Sequence, residues 1–515
     1  MAQELKSINL VAPAFQGINT EDAPLAQDPS FAETADNAVI DKRGRIAARK
    51  GHLVITTNKT QLGSDSLSSI KEFRDDAGNT KIFSVGNNKI LSGTTTLADE
   101  SPGSYTISAD DWKMVNFNDS IYFFQRGYEP LIYNSIPTVD PGGTNEDVLQ
   151  LSTVTGAAGV TSGMYGNEVL AAYGRLWTAD FATDKSTVYW SDLLIGHDWL
   201  GGTSGSINLS KVWPDGHDEV VALAAHNNKL IIFGKRSIVV YEGADAPATM
   251  ALSDTVVGVG CVGRDTIQHT GVDVIFLSHT GLKSFGRTIQ EKSMPLSSLS
   301  GTITTDIIQV LREANEVYKS VYHPEENFYL LTFVNQNITY CFDVRGTLEN
   351  GSYRVTRWPG TSFTCYERKS DGTLLIGSSS GIGQYSGFQD NGGSYGFKYF
   401  SPELSFGDPS KLKFLKKLRP TIVGGSGLNI FLKWDYDFGS SYNAAFLTLK
   451  DEAKAEFGLD EYTVGQFSDG VLTSKEAINT NGSGGTLSIG MEADINGEEL
   501  SLQEINVLAL VGKTI

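Results

Sequence analysis

The chain has 515 residues and a net charge of −19, from 41 Lys and Arg against 60 Asp and Glu. Hydrophobic residues make up 40% and charged residues 20%, the balance of a folded chain, and roughly 150 residues per domain suggests about three domains. The acid excess argues against a free nucleic-acid binder or a protein held on anionic membranes, since both need clustered Lys and Arg. No apolar run of about 18 residues is present to cross a bilayer.

The first 63 residues carry no apolar core of signal-peptide length and stand outside the repeat that follows. From residue 77 a unit recurs: a polar turn, a short apolar strand, a Gly- or Asn-containing turn and a second strand. It begins at Ala77, Phe117, Tyr173, His226, Thr270, Glu325 and Ser370, with spacings of 40 to 56 residues. Glycine, at 55 residues, and the 45 Phe and Tyr fit many short strands and tight turns. A hairpin every 40–55 residues is the pattern of β-propeller blades, small sheets that bury their faces only by stacking around an axis. The spacing of apolar residues predicts one helix, Thr305 to Asn315, capped by Asp306.

The tract 389–394 reads as a linker. Beyond it, the run Lys411-Leu412-Lys413-Phe414-Leu415-Lys416-Lys417-Leu418-Arg419 is the most cationic stretch of the chain. It reads as a bulged strand with one wet face, at a sheet edge that lysines guard against pairing. Contact with DNA or an acidic partner is the sharper reading. The last 65 residues hold twelve acids and three bases, Lys454, Lys475 and Lys513. The expected architecture is therefore all-β: a β-propeller of six to eight blades, about seven, over 64–390, an N-terminal arm over 1–63, and a β-sandwich-like C-terminal domain over 391–515.

Few residues suggest catalysis. Cys261, Cys341 and Cys365 are odd in number and far apart, which fits neither a disulfide framework nor a zinc site. His52, His197, His217, His226, His269, His279 and His323 show no metal-ligand spacing. Ser370-Asp371-Gly372-Thr373 is the nearest approach to a sialidase blade signature, but Asp-Gly is also an ordinary hairpin turn. Gly202-Thr203-Ser204-Gly205-Ser206 lacks the final glycine of a hydrolase elbow. The acidic loops Asp215–Glu219 and Asp435–Asp437 lack calcium-loop spacing and read as solvated turns.

A family resemblance rests on the tract containing Gln16-Gly17-Ile18-Asn19, Ala35-Asp36-Asn37-Ala38-Val39-Ile40, the turn Asp41-Lys42-Arg43-Gly44-Arg45, and Arg49-Lys50-Gly51. It resembles the opening of the tail tubular protein B (nozzle) and tail-stabilisation proteins of short-tailed phages, with Lys50 where that family has proline. Tyr173–Trp177, Val188–Ser191 and His197–Trp199 are similar to a later segment of the same family. So are 220–243, 258–285 and the helix position at 306–315.

The resemblance implies a noncatalytic virion protein of the short tail, without catalytic residues, cofactors or metal ligands. It implies a homo-hexameric ring around a DNA channel, below the adaptor and joined to tail fibres, assembled in the host cytoplasm and without stable membrane binding. DNA would pass through the lumen without sequence recognition. The arm is then expected to pack on a neighbouring copy or on the adaptor. A carbohydrate-active or sugar-binding propeller, sialidase-like or otherwise, and a propeller interaction scaffold are the alternatives.

Overall fold

The computed structural model describes residues 5–103, 105–134, 148–291, 298–408, 410–439, 441–449, 473–474 and 476–514. Within the acid-rich last 65 residues, 451–472, 475 and 515 lie outside the described residues, Lys454 and Lys475 among them.

Five four-stranded sheets, one three-stranded sheet and four strands of a nine-stranded sheet form the propeller. Blades 1 to 4 span 69–99, 113–150, 166–208 and 220–257. Blade 5, over 268–284, has three strands and is followed by the short helix Phe285–Gln290. Blade 6 spans 318–359, and blade 7 takes three strands from 365–385. Inner strands of successive blades pack side by side around the ring, with the Arg264–Thr266 turn completing the contact at blade 5. Each of the seven sequence hairpins is the middle strand pair of one blade.

The apolar runs of these strands follow from burial on both faces. In blade 1, Phe83 and Val85 pack toward Phe123 and Leu131 of blade 2, while Ile82 packs toward Leu375 and Ile382 of blade 7. The same alternation fills every junction: Trp177 and Trp190 of blade 3 meet Ile232 and Tyr241 of blade 4, and Phe233 meets Phe276 of blade 5. Strands with two buried faces lose the polar–apolar alternation of a half-exposed sheet. Their turns carry the polarity instead. Asn87-Asn88, Asn118-Asp119 and Asn227-Asn228 all have positive φ, the hairpin geometry that Asn and Asp tolerate best.

The N-terminal segment is built into both halves of the molecule. His52–Val54 pairs with Gly383–Tyr385 as the outer strand of blade 7, so the two ends of the propeller chain are hydrogen-bonded together. Leu5–Val11 pairs with the C-terminal strand Leu500–Thr514. Thr34–Asp36 lies between the outer strand of blade 6 and Tyr395–Phe400, so one nine-stranded sheet runs from the propeller into the C-terminal domain. That half-sheet faces a second sheet containing Lys411–Gly424, Leu500–Thr514 and Ile46–Ala48. Between them pack Leu415, Leu418, Ile430, Leu432, Trp434, Ile489, Met491 and Ile505.

Four local expectations are revised. The helix is Thr304–Leu311, and Asp306 is not its cap. The carboxylate of Glu21, from the N-terminal segment, accepts from the Thr305 amide and hydroxyl, while Asp306 accepts from Thr20. The 389–394 tract is no free linker, since Asp390 is tied to Arg49 and His52. The strand Lys411–Gly424 is bulged as expected but is not an edge. Leu500–Thr514 pairs on one side and three short strands over 473–484 on the other. Lys413 is buried there and donates to the Gly485 carbonyl at 2.6 Å.

Two glycines permit the junction. Gly17 has φ +81°, and a Cβ there would lie 2.6 Å from the Val355 backbone; at Gly51 a Cβ would lie 1.9 Å from the Gln389 carbonyl oxygen. Between them sits Arg49, 2% exposed. Its guanidinium donates to both carboxylate oxygens of Asp390 at 2.9 and 2.6 Å, to Asn37 Oδ1 at 2.9 Å and to the Lys50 carbonyl at 2.9 Å. It lies 4.3 Å from the Tyr395 ring centroid and 5.6 Å from that of Trp358. Removing one partner of such a buried pair costs about 3–5 kcal/mol, because the other charge is stranded. Arg49→Met is expected to lose stability of that order in urea unfolding. Burial opposes the ionisation of Asp390, but His52 and Arg49 outweigh it and hold the carboxyl far below its ordinary range. A depressed folded pKa gives stability that is complete above the unfolded value, about 3.9, and is lost as pH falls through the folded one. Asp390→Asn should therefore flatten the acid limb of the stability profile relative to the unaltered chain.

Candidate functional site

The inner strand of a propeller blade presents side chains to the axis, and in this chain those positions are charged. Lys71 of blade 1 donates to Glu367 of blade 7 at 2.9 and 3.2 Å. Lys113 of blade 2 donates to both oxygens of Glu168 of blade 3 at 2.7 Å, and Glu168 also accepts the Leu223 amide of blade 4. Lys319 of blade 6 binds Asp265 at 2.6 Å and Asp111 at 3.1 Å. Arg264 binds Asp111 at 3.0 Å and Asn167 Oδ1 at 2.8 Å. Four cations thus meet four carboxylates, and every blade is tied to the axis by this network or its backbone contacts.

Burial and charge set the protonation states. Desolvation works against Asp111, but Arg264 and Lys319 prevail and hold it well below the ordinary carboxylate range; Asp265 is lowered for the same reasons. Lys319 is correspondingly raised by Asp265 and Asp111 against its own desolvation. At Glu168, burial wins over Lys113 and the pKa rises; the same holds for Glu367 against Lys71.

Two cavities border the network. One, of about 420 Å³, opens where the inner strands begin and is rimmed by the pairs Arg126–Asp180 and Lys235–Glu219. The other, of about 170 Å³, lies deeper among Lys71, Lys113, Gln268 and Tyr366. Arg264 and Asp265 line both. Asp111, deep in the molecule, still has a side chain 53% accessible because it faces the larger cavity. Chemically the arrangement is a closed set of ion pairs. Of the network carboxylates, Asp111 and Asp265 line the larger cavity and are held ionised by Lys319 and Arg264; of the two that burial raises, Glu168 lines neither cavity and Glu367 lines the smaller one.

The motifs weighed in the sequence find structural places. Ser370–Thr373 is a hairpin turn of blade 7, with Asp371 paired to Lys369. Ser204 donates to the Gly201 carbonyl in a blade 3 loop. Asp218 is buried rather than solvated and accepts four backbone amides, Glu219 and Lys235 to Ser237, plus the Ser237 hydroxyl, which closes a blade 4 turn. Asp437 accepts the amides of Gly485 and Thr486. The cysteines are buried and separate, and burial raises the Cys261 and Cys365 thiols to about 12. His226 and His269 come within 6.5 Å, ring to ring, across blades 4 and 5, but no group of three ligands forms among the described residues.

No protein-family model and no curated protein matches this chain. Solved structures resemble it at low identity. The extracellular domain of a protein described as a one-component system of B. thetaiotaomicron is 10% identical, with 81% of this chain and 59% of that one covered and a TM-score of 0.43. A second structure of a domain of that kind, described as hybrid two-component, is covered over 47%. The chain thus spans about half of these two neighbours. The C-terminal WD40 domain of Sif2 is 11% identical, with 66% and 88% covered and a TM-score of 0.35. A streptogramin B lyase is 10% identical, with 64% and 95% covered and a TM-score of 0.36. At these values the likeness concerns the propeller alone, which the sheet order already establishes.

The axial network makes one clear demand. Lys319 is 9% exposed and balances two carboxylates. Lys319→Met is expected to cost about 3–5 kcal/mol in chemical denaturation. Adding Asp265→Asn should recover part of that loss, since it removes one stranded charge; a further additive loss would show that the pair is not coupled.

Proposed function

We propose that this chain is a noncatalytic structural subunit of a short phage tail, a nozzle-type protein that assembles as a ring of six copies and carries DNA through the space between them. The reading rests on the sequence resemblance, and one structural observation supports it. The residues that carry the resemblance do architectural work at one junction. Gly17 permits the close approach to Val355, and Asn19 is buried and accepts the Glu21 and Asp22 amides. Asn37 has φ +52° and binds Arg49, while Gly51 admits the Gln389 carbonyl. A tract retained for such a junction is a reason for a family to share it.

The axis of a single propeller is filled by ion pairs, so the conduit in this reading lies between copies. Six copies at −19 each carry −114 in total. A lumen of that sign repels phosphates and lets DNA move without the adhesion that cationic walls produce through counterion release. The adaptor above and tail fibres around the ring are the partners the reading supplies, and the virion tail is its location.

Light scattering and negative-stain imaging of the purified protein test it. The expected result is a sixfold ring of about six times 55.7 kDa, together with labelling of virion tails by an antibody to the chain. A protein that stays monomeric at all concentrations and hydrolyses a glycoside would overturn it.

A further inference from the structure

Copies of a chain with 19 excess negative charges repel one another, so a ring of them needs local charge complementarity where they touch. More than half of the cations among the described residues are already committed to ion pairs. The densest group without an anionic partner among the described residues is Lys416, Lys417 and Arg419, all exposed.

Their grouping has a structural cause. Along Lys411–Gly424 the register against Leu500–Thr514 slips between Leu415, opposite Ala509, and Lys417, opposite Leu508. The extra residue is a β-bulge, which turns two consecutive side chains outward where a regular strand would bury one of them. Lys416 and Lys417 are thereby both exposed, and Arg419 follows after the buried Leu418. Their neighbours in register, Asn479 and Asn506, are uncharged, and Glu504, opposite Thr421, makes no ion pair with Arg419.

The same chain presents a complementary surface. The loop between Asn19 and Phe31 exposes Glu21, Asp22 and Asp28, none in an ion pair among the described residues. The loop is held in shape by local bonds: Asn19 to Asp22, Gln27 to the Asn19 and Asp22 carbonyls, and Asp28 to Ser30. The Glu21 carboxylate also accepts from Thr305, so the exposed acids are presented from a frame fixed on the helix Thr304–Leu311. An unlike pair of surfaces on one chain gives a head-to-tail contact, and head-to-tail contacts generate a ring where the rotation closes and a filament where it does not.

We propose that Lys416, Lys417 and Arg419 of one copy dock on the acidic loop bearing Glu21, Asp22 and Asp28 of the next. The inference rests on the ring reading above and names the joint that ring uses. DNA is the less favoured occupant of the patch, because three cations on a chain of this net charge offer few phosphate contacts.

Charge exchange tests it. Lys416→Glu, Lys417→Glu and Arg419→Glu together, and separately Glu21→Lys, Asp22→Lys and Asp28→Lys, are each expected to weaken assembly about tenfold or more in sedimentation. The basic triple should leave the thermal midpoint of the monomer nearly unchanged, since its side chains are exposed. The acidic triple also removes the Glu21 bonds to Thr305 and the loop's own bonds, so Glu21→Gln, Asp22→Asn and Asp28→Asn, which keep an acceptor at each place, are its neutral counterpart and should weaken assembly as well. A chain carrying all six substitutions should assemble again, with the salt dependence of the unaltered protein. If the unaltered chain forms no ring, the ring reading itself fails. If it forms rings that either triple leaves intact, or that the sixfold exchange does not restore, the joint is wrong and the ring reading stands. Loss of salt-dependent binding to a DNA duplex on reversal of the basic triple, with assembly unaffected, would also overturn the joint.

Discussion

The Arg49–Asp390 pair holds together three parts of the chain that are far apart in sequence. Arg49 comes three residues before the strand that closes blade 7, Asp390 lies in the passage out of the propeller, and Tyr395 begins the C-terminal half of the long sheet. The Tyr395 hydroxyl donates to the Arg49 carbonyl, and Trp358 of blade 6 flanks the guanidinium. A planar cation with five donors suits such a place, because it can serve Asn37, Asp390 and a backbone carbonyl at once; a lysine ammonium has neither the reach nor the fork. Buried ion pairs add little stability over an apolar replacement of equal shape. What this one contributes is a single arrangement. With Arg49 satisfied only when all its partners converge, the closing strand has one register and the sandwich one attachment.

The propeller was legible in the sequence because its middle hairpins announce themselves. Each joins two doubly buried strands by a turn rich in Asn, Asp or Gly, and both signals are local. The inner and outer strands were less visible. Inner strands such as Lys113–Phe117 mix polar residues, here Lys113 and Asn116, with apolar ones and resemble half-exposed strands, since the axis they face is polar. The outer strand of blade 7 comes from residues 52–54, more than 300 positions away, and no local pattern marks it. The N-terminal segment looked separate for the same reason: it lies outside the repeat in sequence while being inside the fold.

The axial network was hidden by distance along the chain. Lys71 and Glu367 are 296 residues apart, and Lys319 and Asp111 are 208 apart. Nothing in composition distinguishes these eight residues from surface charges. A sequence-level signal existed only after the blades were aligned: ionisable residues recur on successive inner strands. The basic run 411–419 shows the opposite case. It was conspicuous, its bulge was foreseeable from the apolar spacing, yet its place in the middle of a sheet was not, because the strands that cover it are two residues long.

Charge is used in two different ways across the molecule. Along the axis four cations and four carboxylates cancel in a space from which most water is excluded, where an unpaired charge is costly. That set of eight residues is neutral, and it adds nothing to the −19. The excess therefore resides in the rest of the chain, and on the exposed part of the described residues solvent and salt screen it over roughly 8 Å at physiological ionic strength. A screened acidic surface discourages contact between copies except where an opposite patch is presented at short range. Three cations gathered on a bulged strand form a patch of that kind, and in the proposed docking they would decide orientation more than whether copies approach, because long-range repulsion is screened while contact pairs are not.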